Sequence, residues 1–91
     1  MRSPNWEADA ELQLVGLIEF IGERNASAAA RLRAMIDDAV HRVCDFPEMG
    51  RPGRIHGTRE LIVHPNHIVI YQITDTTIDI IRILHTRQRY P

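Results

Sequence analysis

The residues best suited to chemistry lie near the end of the chain. His85 closes a run of aliphatic residues, and Arg87, Arg89 and Tyr90 follow within five positions. Arg59 begins an earlier run of the same kind. If these runs are neighbouring strands, the side chains could meet at one end of a sheet. They would then form a basic, partly aromatic patch able to hold phosphate or carboxylate.

Such a patch could cleave RNA through attack by the 2′-hydroxyl. That reaction needs a general base, a general acid and cations around the pentacoordinate phosphate. His85 could be the acid or the base, and the candidate cations are Arg59, Arg82 and Arg87. The alternative is that His85 is a surface or packing residue, which is the more common role of a histidine at a strand end.

Other residues offer weaker candidates for a site. Arg51 and Arg54 lie in a loop rich in proline and glycine, where they could contact a target or only keep the turn in solvent. His64 and His67 flank a turn and could be imagined as metal ligands together with Cys44 and His85, but the sequence has no Cys-x-x-Cys or His-Glu-x-x-His spacing. We therefore expect no metal and no cofactor. Cys44 lies on the apolar side of a predicted helix and is interpreted as a core residue.

Two helices are predicted before these residues. Apolar side chains at positions 14, 17, 18 and 21 share one helical face and predict a helix over residues 8–24. A second helix is predicted over residues 28–45, with Asn25 or Ser27 as its cap and Pro47 after its end. The joining segment is so short that the two helices must form an antiparallel hairpin.

Three runs rich in isoleucine and valine predict strands over residues 59–64, 67–73 and 78–85. The turns between them are short enough for an antiparallel meander. Trp6 and its neighbours could add a short first strand. The order β-α-α-β-β-β predicts an α+β fold of two layers, with the helix hairpin packed on a small, mainly antiparallel sheet. We expect residues 1–91 to form this single domain.

Charge is distributed unevenly along the chain. The formal net charge is −1, and all eleven lysine-plus-arginine residues are arginine. Residues 1–40 contain four arginines and seven acids, whereas residues 41–91 contain seven arginines, five acids and all five histidines. The near-zero total argues against a general nucleic-acid binder. The single cysteine and the polar N-terminal segment predict a cytoplasmic protein that does not enter the membrane.

A pattern typical of one protein family runs through three segments of the chain. They are the loop from Pro47 to Arg54, the Gly-Thr-Arg-Glu-Leu run that begins at Gly57, and the ending from Ile80 to Pro91. The pattern resembles the RelE/ParE superfamily of bacterial toxins over nearly the whole chain. The resemblance implies the toxin of a type II toxin-antitoxin module, of the plasmid-stabilisation type, which a cognate antitoxin neutralises.

The superfamily has two branches with different targets. One branch cuts mRNA on the ribosome, and the other poisons DNA gyrase. Members of the nuclease branch typically have an arginine where this chain has Ile68, and several carry lysines on the preceding strand, whereas this chain has none. The resemblance is closer to the ParE-like branch, in the Gly-Thr-Arg-Glu-Leu run, the His-Pro-Asn-His hairpin and the Leu-His-Thr-Arg ending. It therefore implies a gyrase poison that is not itself an enzyme, with a ribosome-dependent mRNA endonuclease as the alternative.

The resemblance also implies which surfaces meet a partner. Under the gyrase interpretation there are no catalytic residues, and the residues expected to bind the target or the antitoxin are Arg51, Arg54, Arg59, His85, Arg87, Arg89 and Tyr90. A short, acidic antitoxin is expected to be encoded beside this chain, and operator DNA would be reached only through it. A third possibility is a chain that retains antitoxin binding or autorepression without toxicity.

Overall fold

The computed structural model describes residues 1–64 and 66–89, so that Tyr90, one of the predicted contact residues, lies outside the described part. A short strand, β1 (Ser3–Trp6), precedes the helices α1 (Ala8–Gly22) and α2 (Ala26–Asp45). A 3-10 turn then leads into the remaining strands, which are β2 (Arg51–Pro52), β3 (Arg59–His64), β4 (His67–Ile73) and β5 (Thr77–His85). The predicted α+β order is confirmed. The two-residue β2, in the segment predicted as a loop, is an addition to it.

The strands form one sheet in the order β1-β5-β4-β3-β2. The pairs β2-β3, β3-β4 and β4-β5 are antiparallel, and β1 is parallel to β5. Parallel strands need a long crossover connection, and the helix hairpin and the meander provide one here. The expectation of a small, mainly antiparallel sheet is therefore confirmed, and Trp6 is part of its first strand.

Both helices begin and end within two residues of the predicted bounds. The side chain of Asn25 accepts a hydrogen bond of 3.0 Å from the backbone nitrogen of Ala28, which caps the start of α2. Among the described residues, no helix is long and apolar enough to cross a membrane.

The main core lies between the helix hairpin and one face of the sheet. It contains Ala10, Leu14, Leu32, Ile36, Val40, Val43, Cys44, Val69, Tyr71, Ile78, Ile80 and Ile83. Burial raises the pKa of the Cys44 thiol, as expected for a core residue. A smaller cluster, Ile68, Ile70 and Leu84, lies on the opposite face of the sheet, which we call the outer face.

A bulge in β5 determines which face its polar residues occupy. Ile70 pairs with Arg82, whereas Tyr71 pairs with Ile80, so Ile81 has no direct partner on β4. Because a bulge inserts one residue, the alternation of faces shifts at this point. Ile80 and Ile83 both pack into the main core, and Arg82 lies on the outer face beside Ile70.

Candidate functional site

Three histidines meet at one end of the sheet. The strand register places His64 opposite His67 and His67 opposite His85. The ring of His67 lies 5.9 Å from that of His64 and 5.5 Å from that of His85, measured between centroids. We call these three residues the histidine cluster. It lies on the side of the sheet that the helices cover, because clefts beside it are also lined by Leu17 and Leu32.

His67 is the most constrained member of the cluster. Its Nδ1 atom is buried and has no hydrogen-bond partner among the residues that the structure describes. Burial lowers the pKa of His67, and the neighbouring His85 and His64 lower it further because a second positive charge beside them is unfavourable. The cluster therefore favours the neutral form of its central imidazole.

A turn after β5 holds His85. Its Nδ1 accepts a hydrogen bond of 3.1 Å from the backbone nitrogen of Arg87, and its backbone nitrogen donates one of 2.6 Å to Oε1 of Gln88. The side chains of Arg87 and Arg89 are exposed beyond this turn. Of the predicted patch, the structure therefore keeps His85, Arg87 and Arg89 together.

Arg59 does not join this group, so the prediction that it meets His85 is wrong. It pairs with Tyr71, which in turn pairs with Ile80. It lies five residues before His64 along β3, which corresponds to roughly 17 Å. The physical reason is direction: β3 and β5 both run antiparallel to β4, so the start of one lies at the opposite end of the sheet from the end of the other.

Arg59 instead supports the loop after α2. Its Nη1 donates a hydrogen bond of 2.7 Å to the carbonyl oxygen of Gly50, and a longer one of 3.4 Å to that of Glu48. The side chain is half-buried. These contacts give Arg59 a structural role at the end of the sheet opposite the histidine cluster.

Arg51 and Arg54 surround the buried carboxylate of Glu60. Arg51 donates from Nε and Nη2 to Oε1 of Glu60, at 3.2 and 3.1 Å. The backbone nitrogen of Arg54 donates to Oε2 at 3.1 Å, and its Nε lies 3.6 Å from the same atom. The Glu60 side chain is only 2% exposed. A buried carboxylate needs such partners, and sequence reasoning missed it.

Arg82 lies on the outer face of the sheet, as Glu60 does. The register Glu60-Ile70-Arg82 runs across three strands, which places Arg82 roughly 10 Å from Glu60 and on the same face. Arg82 and His85 therefore lie on opposite faces of the sheet. A nuclease centre would need its acid, base and cations around a single phosphate. Of the predicted candidates, His85 and Arg87 lie together, whereas Arg82 lies on the other face and Arg59 at the other end of the sheet.

Sequence reasoning grouped His64, His67 and His85 only as conceivable metal ligands with Cys44, and it missed their pairing across the strands. The signal for this pairing was present in the sequence. His67 begins the strand after the hairpin, and His85 ends the next strand, which is its antiparallel partner.

In the described part of the chain, no three side chains of histidine, cysteine, aspartate or glutamate are arranged to hold a metal ion.

Relatives of known sequence cover nearly the whole chain. The profile described as "ParE toxin of type II toxin-antitoxin system, parDE" matches residues 5–90. The candidate toxin Y4kP of Sinorhizobium fredii is 34% identical over 87 residues, which cover 94% of this chain and 90% of that protein. Toxin RelE2 of Caulobacter vibrioides is 30% identical over 80 residues, which cover 88% of this chain and 90% of that protein.

Solved structures share the fold. The chromosomal ParDE toxin-antitoxin system of P. aeruginosa contains a chain that superposes with a TM-score of 0.80 at 20% identity, covering 93% of this chain and 96% of that one. A chain of the RelBE2 toxin-antitoxin complex of Mycobacterium tuberculosis superposes with a TM-score of 0.64 at 21% identity, covering 92% and 96%. With the profile match over residues 5–90, the conclusion is that this chain belongs to the ParE toxin family of type II toxin-antitoxin systems.

Proposed function

We propose that this protein inhibits growth by poisoning DNA gyrase and that a cognate antitoxin neutralises it. The observation that carries the proposal is the match to the ParE toxin family over residues 5–90. A gyrase poison needs no acid-base pair of its own, because the enzyme that it traps performs the DNA chemistry.

The distribution of the candidate catalytic groups supports this choice. Arg82 lies on the opposite face of the sheet from His85. Arg59 lies at the other end of the sheet, where it donates a hydrogen bond to a loop carbonyl. General acid-base catalysis requires groups within hydrogen-bond reach of the reacting atoms. Binding to a protein target has no such requirement, since contacts can be spread over a wide surface.

The proposed contact surface is the exposed segment after His85 that contains Arg87 and Arg89. Arg87 and Arg89 are exposed just after His85, and their guanidinium groups suit bidentate contact with carboxylate or phosphate. Tyr90, which follows them, belongs to the same proposal. Arg51 and Arg54 are proposed as secondary contacts, because their side chains are still 52% and 43% exposed beside Glu60. Arg59 is proposed to act chiefly through the loop that it supports.

The proposed partner is an antitoxin. The similar chains from P. aeruginosa and M. tuberculosis belong to a ParDE system and a RelBE2 complex. This chain exposes large apolar side chains that a partner could cover, including Leu12 and Phe20 on α1 and Ile62 on β3. We place the protein in the cytoplasm, where gyrase acts, and propose that operator DNA is contacted only through the antitoxin.

A gyrase assay with the purified protein tests the proposal. We expect inhibition of supercoiling and accumulation of cleaved DNA, and we expect the antitoxin to relieve both. If gyrase supercoils DNA normally at a large excess of the protein and no cleaved complex accumulates, the proposal is wrong.

The second candidate function is ribosome-dependent cleavage of mRNA. It is favoured by the 30% identity to a protein named Toxin RelE2 and by the histidine at the end of β5. Under this alternative, His85→Ala would abolish mRNA cleavage in a translating extract while leaving antitoxin binding intact. Wild-type cleavage by that variant would remove His85 from any catalytic role.

A further inference from the structure

We infer that a cleft beside the histidine cluster receives an acidic side chain of the antitoxin. The cleft has a volume of about 190 Å³ and lies between the end of α1, the first turns of α2 and the β3-β4 hairpin. Its lining comprises Ile21, Ala28, Arg31, Leu32, Met35, His64 and His67. The inference rests on the proposed function in one respect only, that the partner is an antitoxin.

The polar groups of this cleft are all cations or potential cations. Arg31 contributes a guanidinium from α2, and His64 and His67 contribute imidazoles from the hairpin. A second cleft on the other side of His67, lined also by His85 and Gln88, likewise has no acidic residue in its lining. The two clefts thus hold the cation Arg31 and the imidazoles of the histidine cluster, with no acidic side chain among the described residues that line them. An arriving carboxylate would provide an opposite charge for Arg31.

His67 gives a second, independent indication of a ligand. Its buried Nδ1 has no hydrogen-bond partner among the described residues, and buried polar atoms in native proteins nearly always have one. The rings of His64 and His85 lie close to that of His67, and positive charge on them would disfavour protonation of His67. A bound carboxylate would reverse this preference and could accept a hydrogen bond from the cluster.

The apolar floor indicates a polypeptide and not a nucleic acid. Ile21, Leu32 and the partly exposed Met35 would contact an aliphatic side chain next to the acidic one. A phosphodiester would gain nothing from that floor. Exposed acids also repel a nucleic-acid backbone, among them Glu23 in the turn after α1 and Asp37 on α2. The occupant is therefore a segment that has an aspartate or glutamate beside an apolar anchor, as an acidic antitoxin would provide.

Isothermal titration of the protein with its purified cognate antitoxin tests the inference. Arg31→Gln removes the cleft guanidinium and should weaken binding about tenfold. Arg33→Gln is the matched control, since Arg33 lies on the same helix, pairs with Asp37 and does not line the cleft. We expect this control to bind within about twofold of the wild type.

Variants of the antitoxin complete the test. Each of its acids is replaced by the corresponding amide, and each variant is titrated against wild-type protein and against Arg31→Gln. One acid should show an effect that largely disappears when Arg31 is already absent, which is the signature of a direct pair in a double-mutant cycle. Additive effects for every acid would overturn the inference.

The remaining outcomes separate this inference from the proposed function. If Arg31→Gln and Arg33→Gln bind the antitoxin equally well, the cleft is not its docking site, and the toxin assignment is unaffected. If the wild type does not bind the antitoxin at all, both proposals fail. If Arg31→Gln binds the antitoxin normally but loses binding to duplex DNA, the cleft belongs to nucleic acid and the inference is wrong. Loss of antitoxin binding in Arg31→Gln supports the inference even if gyrase proves not to be the target.

Discussion

Tyr71 donates a hydrogen bond of 2.6 Å to the carbonyl oxygen of Pro47, which ties the centre of β4 to the loop after α2. The backbone nitrogen of Gly50 donates to the same hydroxyl at 3.0 Å. The ring is 1% exposed, and burial raises the pKa of the phenol. One buried side chain thus positions the loop that leads to Arg51 and the outer face.

The variant Tyr71→Phe keeps the ring and removes both hydrogen bonds. We expect it to lower the free energy of unfolding by about 1–3 kcal/mol, because the carbonyl of Pro47 and the amide of Gly50 lose a buried partner. Urea denaturation at neutral pH measures the change. If Tyr71→Phe is as stable as the wild type, water must replace the hydroxyl at no cost, and the loop does not depend on this contact.

Two glycines respond in opposite ways to the same substitution. A Cβ at Gly50 would lie 2.6 Å from the Tyr71 hydroxyl and 2.9 Å from the carbonyl oxygen of Glu60, so Gly50→Ala should destabilise the fold by about 1–3 kcal/mol. A Cβ at Gly16 would have nothing within 4 Å. Because Gly16 lies inside α1, Gly16→Ala should stabilise by about 0.5–1 kcal/mol. Thermal unfolding of both variants checks the two signs together.

Glu60 should be more important for stability than an ordinary surface acid. Its carboxylate is 2% exposed and accepts hydrogen bonds from Arg51 and from the backbone of Arg54. We expect Glu60→Gln to cost about 1–3 kcal/mol. The matched control is Asp38→Asn, whose carboxylate is 68% exposed beside Arg42 and should change stability by less than about 0.5 kcal/mol. Equal effects in denaturant titrations would contradict the structural role of Glu60.

Stability should fall in mild acid because of His67. Burial lowers its pKa in the folded state below the ordinary value of 6.5, so the unfolded chain binds more protons in the window just below that value. The free energy of unfolding therefore decreases as the pH drops through 6.5 toward the folded-state pKa. His67→Gln should flatten this dependence in the window below pH 6.5. His41→Gln, an exposed change on α2, is the control and should leave the slope intact.

The element order was readable from the sequence because each element has a clear period. The helix predicted from the spacing of residues 14 to 21, and the three strands predicted from the isoleucine-rich runs, begin and end within two residues of the observed bounds. Period alone does not give register or face. The antiparallel meander predicted from the short turns already separates Arg59 from His85, so the expectation that they meet was inconsistent with the predicted topology. The face of Arg82 could not be read from the sequence. The bulge at Ile81 decides that face, and nothing in the local composition indicates it.

The separation of Arg82 from His85 yields a prediction about how their variants combine. Groups that act on one phosphate are strongly non-additive, since losing either disables the same step. Residues on opposite faces of a sheet, with no shared partner, should contribute independently. We therefore expect the double variant Arg82→Ala, His85→Ala to change growth inhibition by the product of the two single effects, each no more than about tenfold. The measurement is the half-maximal inducer dose for growth arrest, with expression levels matched by immunoblot. If either single variant abolishes toxicity and the second adds nothing, the two side chains act as one catalytic unit, and the ribonuclease alternative gains over gyrase poisoning.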